Sequence, residues 1–234
     1  MEKIQEIQVG IKLSIPEIKS NIEKSVKYGL RPITELYAKG KEEAIALIGG
    51  GPSLYNTVKQ IPKYSASIVC GSAHDYLLYQ GVIPKYCIIC DPEPIMAKYL
   101  QKANDKVTYL IASQCDKAVF DALKDVSQKY IWDCAGYEEF NREIFDTPEK
   151  LIVGGCTVGT RAMGMAIAMG YKKLHLFGYD SCLTNTYKHH AYDFYDPEQE
   201  SLGTIQEIRL DDPEKGKKFI CAGYMVAQML DFQW

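Results

Sequence analysis

The sequence lacks a long apolar run, an excess of basic residues and a leader-like N-terminus. Each absence argues against one class of protein. No apolar stretch is long enough to span a bilayer, and residues 1–6 lack the apolar core of a signal peptide. The formal net charge of -3 argues against a nucleic-acid-binding surface. We therefore predict a cytoplasmic globular protein with small-molecule partners, no nucleic acid and no membrane span; a homo-oligomer is left open.

The eight cysteines lie mostly in or beside apolar runs, where a free cysteine behaves as a small buried hydrophobe. Cys87 and Cys90 have C-x-x-C spacing, but the two isoleucines between them indicate a strand, on which residues three apart face opposite ways. A metal or redox pair is not expected there, and reduced thiols in a cytoplasm are expected instead.

Apolar runs alternate with helical patterns along most of the chain. The predicted strands are Ala44–Ile48, Ser67–Cys70, 86–90, 107–112, 130–132, 151–153 and Lys173–Phe177. The predicted helices are 53–60, 73–80, 94–102, 117–125, 138–145 and 157–169. This alternation is typical of a parallel sheet covered on both faces, so we predict a Rossmann-like, doubly wound α/β fold with a mostly parallel sheet. Ligands of such folds bind beyond the carboxyl ends of the strands.

Two segments depart from the alternation. Residues 1–40 are mixed and charged, which predicts a small N-terminal helical extension to a main domain formed by residues 41–234. Residues 181–217 are polar and predict a long active-site lid. A last helical pattern covers 222–232, and the chain ends directly after it, as expected of a C-terminally truncated fragment.

A glycine-rich turn follows the first predicted strand. Glycines there bring bare N–H groups close to a ligand, and the next helix adds the positive end of its dipole. This order of elements is typical of a site for a nucleotide phosphate; a tight turn without a ligand is the alternative. The turn lacks the lysine of a P-loop and the third glycine of the dinucleotide fingerprint. The predicted phosphate-binding residues are Gly49, Gly50, Gly51, Pro52 and Ser53.

Asp91 follows the predicted strand 86–90 and is the candidate metal ligand. Carboxylates at the carboxyl edge of such a sheet commonly hold Mg²⁺ or a ribose hydroxyl. The alternative is an N-cap for the next helix, with Pro92 at its first position.

A second glycine turn lies between strand 151–153 and helix 157–169. Gly154 and Gly155 are candidate nucleotide-binding residues, and Thr157 can supply a hydroxyl beside the helix N-terminus. The helix itself is built of small and apolar residues, and close packing on the sheet explains its glycine without any ligand.

Three candidate catalytic residues follow the last predicted strand. Asp180 lies at the same sheet edge as the first glycine turn, and His189 and His190 lie on the polar segment just beyond. A neutral histidine can act as a general base, whereas a protonated one can stabilise phosphate charge. The alternative is an exposed pair with no role.

The ordered motifs resemble those of the 6-hydroxymethylpterin diphosphokinase-like proteins, a former domain of unknown function. The motifs are Gly-Gly-Gly-Pro-Ser-Leu, the run 81–86 leading to Asp91, Gly-Gly-x-Thr-Val-Gly and Leu-Phe-Gly-x-Asp, and they cover about residues 40–195. Motility accessory factors for flagellin glycosylation look similar. Bacterial sialyltransferases that use a CMP-sugar are more distantly similar, through the Gly-x-Gly-Pro-Ser turn and a general-base histidine after the last strand, which His189 or His190 could match.

The resemblance implies a nucleotide-binding transferase domain and one of two chemistries. A diphosphokinase would bind ATP and Mg²⁺, with Asp91 and Asp180 at the metal, and transfer diphosphate to a hydroxymethylpterin. A glycosyltransferase would bind a CMP-sugar without metal and use His189 or His190 as the base. A non-catalytic nucleotide-binding module is the third hypothesis.

The chain departs from the family pattern after its second predicted strand. Family members often have asparagine where this chain has the run 70–74, Cys-Gly-Ser-Ala-His. Nucleotide or pterin contacts are still expected near Ser72, with His74 as a substitute polar contact.

Overall fold

The computed structural model describes residues 13–37, 44–135, 148–192, 205–209 and 218–231. Its strands are β1 Arg31–Pro32, β2 Ala44–Ile48, β3 Ser67–Cys70, β4 Tyr86–Ile89, β5 Thr108–Ala112, β6 Lys129–Cys134, β7 Leu151–Ile152, β8 Lys173–Phe177, β9 Ile205–Arg209 and β10 Lys218–Ala222. Its α-helices are α1 Ile15–Ser25, α2 Leu54–Thr57, α3 His74–Tyr79, α4 Lys117–Ala122, α5 Val158–Ala168 and α6 Gly223–Asp231. Shorter 3₁₀ helices are Val26–Tyr28, Ile33–Leu36, Val58–Lys63, Gly71–Ala73, Pro94–Leu100 and Pro148–Lys150.

The main sheet is parallel, in the order β1-β6-β5-β4-β3-β2-β8, with β7 paired to β6. The predicted α/β, Rossmann-like fold is therefore confirmed. Its central strands β3 and β4 are buried along their whole length, as required where both faces of a parallel sheet are covered. The predicted helix 138–145 lies outside the described residues.

The strand order reverses once, between β2 and β8. Strands β2 to β6 follow one another across the sheet, whereas β8 lies on the other side of β2. Helix α5 returns the chain from β7 to β8 and packs on β2, β3 and β4. Because right-handed crossovers in opposite directions lie on opposite faces, this reversal produces the doubly wound arrangement. It also leaves the carboxyl ends of β2 and β8 side by side, where such folds bind ligands.

The N-terminal segment contributes to the sheet as well as forming a helix. The Asn21 side chain of α1 donates to the carbonyls of Pro92 and Gln114 at 3.4 and 3.2 Å, and Ile33 is fully buried. Strand β1, which the sequence did not indicate, pairs with β6 at the sheet edge. The proposed division at residue 40 falls in 38–43, outside the described residues, and stays a prediction.

The predicted long loop 181–217 was wrong in one respect, because it contains β9. This strand pairs antiparallel with β10, and α6 follows where the helical pattern 222–232 predicted it. Leu183 donates its amide to the Ile220 carbonyl at 2.7 Å and joins a small core of its own. That small core consists of Leu183, Cys221, Ala222 and Met225. Among the described helices, none has both the length and the apolarity to cross a membrane.

Candidate functional site

The first glycine turn lies at the point where the strand order reverses. Gly49 donates its amide to the Phe177 carbonyl at 2.8 Å, and Gly51 donates to the Gly178 carbonyl at 2.9 Å. Gly178 itself has a φ of +66°, a left-handed conformation that favours glycine. The turn after β2 and the turn after β8 are therefore one hydrogen-bonded unit.

All three glycines of the turn are needed for close approach of the protein's own chain. A Cβ atom at Gly49 would lie 2.5 Å from the Gly178 carbonyl oxygen, and one at Gly50 would lie 2.7 Å from His190 Cδ2. A Cβ atom at Gly51 would collide with Asp180 Oδ2. The expectation of bare N–H groups therefore needs correction at two positions, since the Gly49 and Gly51 amides already have backbone acceptors.

The Asp180 side chain contacts the N-terminal end of α2, the helix that follows this turn. Its Oδ2 accepts a hydrogen bond from the Ser53 amide at 2.7 Å. The Ser53 amide was predicted to donate a hydrogen bond to a phosphate. In the structure it donates to this carboxylate instead. The next residue, Ser181, has a φ of +44°, so the chain turns sharply away after Asp180.

A closed turn then carries the two histidines back over the glycines. Thr184 donates its amide to the Lys188 carbonyl at 2.9 Å, and its hydroxyl accepts from the Lys188 amide at 3.0 Å. Tyr187 within this turn has a φ of +61°. The Ala191 amide donates to the Gly50 carbonyl at 3.0 Å, which fixes the segment against the glycine turn. Left-handed non-glycine residues often mark functional segments.

Five aromatic rings form a continuous series through this site, which we call the aromatic column. Its members, in order, are Tyr76, Tyr192, His190, His189 and Tyr224. Successive ring centroids are 5.0, 5.1, 4.1 and 5.9 Å apart; the first two pairs are stacked, the third is tilted and the fourth is edge-on. The column links α3, the segment after β8 and α6, which are distant in sequence.

His190 is the titratable group at the centre of this column. Burial of its ring, with a smaller contribution from the neighbouring His189 charge, lowers the pKa of His190 to about 3. Burial disfavours the charged form of an imidazole, so the ring is neutral at physiological pH. A neutral imidazole can accept a proton from an acceptor hydroxyl.

A cleft of about 520 Å³ opens beside His190. This volume is within the range of small-molecule sites. The cleft combines hydroxyl, amide, ammonium and imidazole groups with one exposed tyrosine ring. Its lining residues are Pro52, Ser53, Tyr55, Asn56, Thr184, Lys188, His190 and Ala191. Lys188 gives the cleft a positive charge suited to a phosphate.

The second glycine turn reaches the first through Tyr179. The Tyr179 hydroxyl donates to the Gly159 carbonyl at 3.2 Å, and Tyr179 directly precedes Asp180. Thr157 caps α5, because its Oγ1 accepts from the Thr160 amide at 3.1 Å. A Cβ atom at Gly154 would lie 2.9 Å from Arg161 N, so this glycine also has a packing explanation. Gly155 is half-buried in the same turn.

Asp91 is exposed at the end of β4, away from Asp180. Its Oδ1 accepts from the Glu93 amide at 2.9 Å; Glu93, and not Asp91, occupies the cap of the following 3₁₀ helix. Three strand spacings separate β4 from β8, so the two strands end about 14 Å apart. No three histidine, cysteine, aspartate or glutamate side chains in the described part of the chain form a metal cluster. Asp91 is therefore separated from the other predicted metal carboxylate, Asp180, and its role as a magnesium ligand stays a prediction.

Ser72 and His74 have different environments. The Ser72 carbonyl accepts from the Tyr192 hydroxyl at 2.5 Å, which places Ser72 next to the aromatic column. His74 is fully buried, and its ring nitrogens contact Asp75 Oδ1 at 2.7 Å and the Tyr109 hydroxyl at 2.8 Å. His74 therefore cannot serve as a ligand contact in this conformation, because a structural network surrounds it.

The structure thus brings together the residues 49–53, Asp180 and His190, with Ser72 connected through Tyr192. It leaves Asp91 on a different strand end. Sequence reasoning missed Tyr192 and Thr184, and no local signal identifies either. Their roles depend on contacts with Ser72 and Lys188 that only the folded chain creates.

Comparison with known proteins gives one family and a set of similar folds. The family model described as 6-hydroxymethylpterin diphosphokinase MptE-like matches residues 17–186. No curated protein matches the chain significantly. The structure of the MAf glycosyltransferase from Magnetospirillum magneticum AMB-1 is 17% identical, with a TM-score of 0.65 over 93% of this chain and 34% of that chain. The chain therefore spans about a third of that structure's length.

A mammalian sialyltransferase, in complex with Gal-beta-1-3GalNAc-ortho-nitrophenol, is a more distant match. It is 10% identical, with a TM-score of 0.45, and the match covers 74% of this chain and 71% of that chain.

Proposed function

The chain belongs to the 6-hydroxymethylpterin diphosphokinase MptE-like family, and from this premise we propose that it transfers a group from a nucleotide donor to a hydroxyl acceptor. The observation that carries the proposal is the neutral, half-buried His190 ring, which lies on the glycine turn and lines the cleft. Such a ring can take the acceptor's proton as the acceptor oxygen attacks.

The first candidate reaction is diphosphate transfer from ATP to a hydroxymethylpterin-like acceptor. The acceptor oxygen loses its proton to His190 and bonds to the β-phosphorus. The bond between that phosphorus and the bridging oxygen to the α-phosphate breaks, and AMP leaves with the bonding electrons. Lys188 in the cleft favours the phosphate charge, and Ser53 supplies a hydroxyl that can orient the donor.

Magnesium belongs to this first candidate. Asp91 would hold the ion together with the donor's phosphates, and the bound ion would neutralise phosphate charge. Every proton step of the proposal is carried by His190.

The second candidate is glycosyl transfer from a CMP-sugar. It is favoured by the position of the base, because His190 lies in the cleft while the exposed Asp91 lies two strand spacings from β2, about 10 Å. The acceptor oxygen would bond to the anomeric carbon, and the carbon–oxygen bond to CMP would break. His190 would again take the acceptor's proton.

Calorimetric binding of ATP and of CMP, each with and without Mg²⁺, separates the candidates. Mg²⁺-dependent ATP binding that Asp91→Ala abolishes supports the first candidate. Metal-independent CMP binding that survives Asp91→Ala supports the second. Asp125→Ala, which removes another exposed carboxylate, is the matched control and should leave both unchanged. Binding of neither nucleotide would overturn the proposal.

Turnover is then measured with the donor that binds. AMP release from ATP with 6-hydroxymethylpterin, or CMP release from a CMP-sugar, identifies the reaction. His190→Gln should slow transfer by about 100-fold or more, the usual contribution of a general base. His175→Gln, at an exposed histidine on β8, is the control. Nucleotide binding without turnover would contradict a transferase and indicate a binding module.

A further inference from the structure

Tyr192 is the member of the aromatic column whose ring stacks on His190, with centroids 5.1 Å apart. We propose that Tyr192 is a positioning residue, which fixes the His190 ring over the Gly50 backbone. The inference rests on the proposed function, in which His190 is the base. It assigns a role to a side chain that lies two residues beyond the histidine pair and outside every sequence motif described above.

Tyr192 is itself anchored at two points. Its hydroxyl donates to the Ser72 carbonyl at 2.5 Å, beside the end of β3. Its ring stacks on Tyr76 of α3 with centroids 5.0 Å apart and an interplanar angle of 24°. Tyr192 is buried, and burial raises the pKa of its phenol, so the hydroxyl keeps the proton it donates. Because both its ring and its hydroxyl are held, the Tyr192 side chain is fixed and can restrain the His190 ring that stacks on it.

His190 is confined by three contacts. The Tyr192 ring lies 5.1 Å away at 22°, and the His189 ring lies 4.1 Å away at 33°. The Gly50 backbone completes the enclosure, since a Cβ atom there would lie 2.7 Å from His190 Cδ2 and 2.8 Å from the Tyr192 hydroxyl. Gly50 therefore accommodates both rings at once. With these contacts in place, packing fixes the orientation of the His190 ring at the edge of the cleft.

The polar surroundings of His190 come from several elements. His189 and Lys188 are on its own segment, Asp180 lies at the adjoining glycine turn, and Tyr76 reaches the column from α3. Removal of the Tyr192 ring would admit water beside His190 without changing any of these charges. The pKa of His190 would then rise toward its ordinary value.

The test compares Tyr192→Leu, which removes the ring, with Tyr192→Phe, which keeps the ring and loses the hydroxyl. Imidazole NMR of the free protein measures the pKa of His190, with His190→Gln used to assign the resonance. We expect the His190 pKa to rise by about one unit or more in Tyr192→Leu and by less in Tyr192→Phe. Tyr79→Leu, at an exposed tyrosine on α3, is the matched control and should leave it unchanged.

Kinetics supply the second readout. Tyr192→Leu should lower kcat by about tenfold or more while KM for the donor stays within about twofold, because the base and not the donor is displaced. Tyr192→Phe should recover most of the rate. A purely structural role would lower the amount of folded protein, measured by circular dichroism, and leave the His190 pKa of the folded fraction unchanged.

The two proposals fail in distinguishable ways. If His190→Gln keeps the full rate of transfer, His190 is not the general base and the proposed function is overturned, whatever the NMR titration shows. If His190→Gln abolishes transfer but Tyr192→Leu changes neither the His190 pKa nor kcat, the positioning role alone is overturned.

Discussion

At the scale of single residues, the glycine turn is defined by what lies against it. Gly49 contacts the Gly178 carbonyl, Gly50 contacts His190, and Gly51 contacts Asp180. Each contact comes from a segment more than 120 residues away along the chain. The turn therefore joins β2 to the segment after β8, and side chains cannot be added there without moving one of them.

Gly51→Ala tests this joint. The new methyl group would collide with Asp180 Oδ2 and lie 2.8 Å from the Gly178 carbonyl oxygen, so we expect a loss of about 3 kcal/mol in the free energy of unfolding. Gly29→Ala is the control, because Gly29 has open space around it and a φ of +56°, for which the expected loss is only about 1 kcal/mol. Urea denaturation measures both; equal losses would contradict the packing explanation.

The neutral His190 ring predicts a pH dependence of stability. Its pKa is about 3 in the folded protein and about 6.5 when unfolded. Between these values the unfolded chain binds the extra proton, so stability is full above pH 6.5 and falls as the pH is lowered. At pH 4.5 we expect about 1 kcal/mol less stability from this group, allowing for the solvent that reaches the half-buried ring.

Urea denaturation of wild type and His190→Gln at pH 7.5 and 4.5 isolates this contribution. Between pH 7.5 and 4.5 the wild type should lose more free energy of unfolding than His190→Gln, since glutamine does not titrate. A difference that stays constant would show that His190 is not held neutral by its surroundings.

At the scale of elements, the position of α5 depends on a close contact between Gly164 and the turn after β7. A Cβ atom at Gly164 would overlap the Val153 carbonyl oxygen, so the helix can approach this turn only with glycine there. Gly164→Ala should lower the free energy of unfolding by about 3 kcal/mol. Ile167→Ala, at a side chain 64% exposed on the same helix, should change it by less than about 0.5 kcal/mol. A neutral Gly164→Ala variant would mean that α5 can shift freely.

Elements with a local signal could be predicted from sequence. Ala44–Ile48 and Lys173–Phe177 were predicted with their observed bounds, because apolar runs end at glycine in both cases. Strand β9 lay inside a predicted loop, since Ile205–Arg209 is polar and its pairing with β10 is not visible locally. The residues 49–53 and Asp180 were predicted to share a sheet edge, because parallel strands end there, and they do lie together; their role as a site stays a prediction. The contacts of Asp180 and Tyr192 depend on distant partners, so no periodicity reveals them.

At the scale of the whole molecule, the described residues contain two cores of unequal size. The large core fills both faces of the parallel sheet, whereas the small core joins β10 and α6 to Leu183. Unequal cores predict unequal local stability. Hydrogen exchange followed by mass spectrometry should show faster exchange in β10 than in β3 and β4. Equal rates would contradict this, because they would mean that the two cores open together.

The place of β8 in the sheet also bears on how the protein is made. Strand β2 leaves the ribosome early, yet its neighbour β8 and the turn that holds Gly51 are synthesised far later. Strands β2 to β6 can pair as they emerge. One edge of β2 then stays unpaired until β8 is synthesised. During that interval a nascent chain has most of its sheet but only one wall of its cleft, because Thr184, Lys188 and His190 are still to be synthesised. The complete cleft therefore forms late in synthesis, and a chain stalled before residue 173 would be folded in part and would lack the side of the cleft that contains His190.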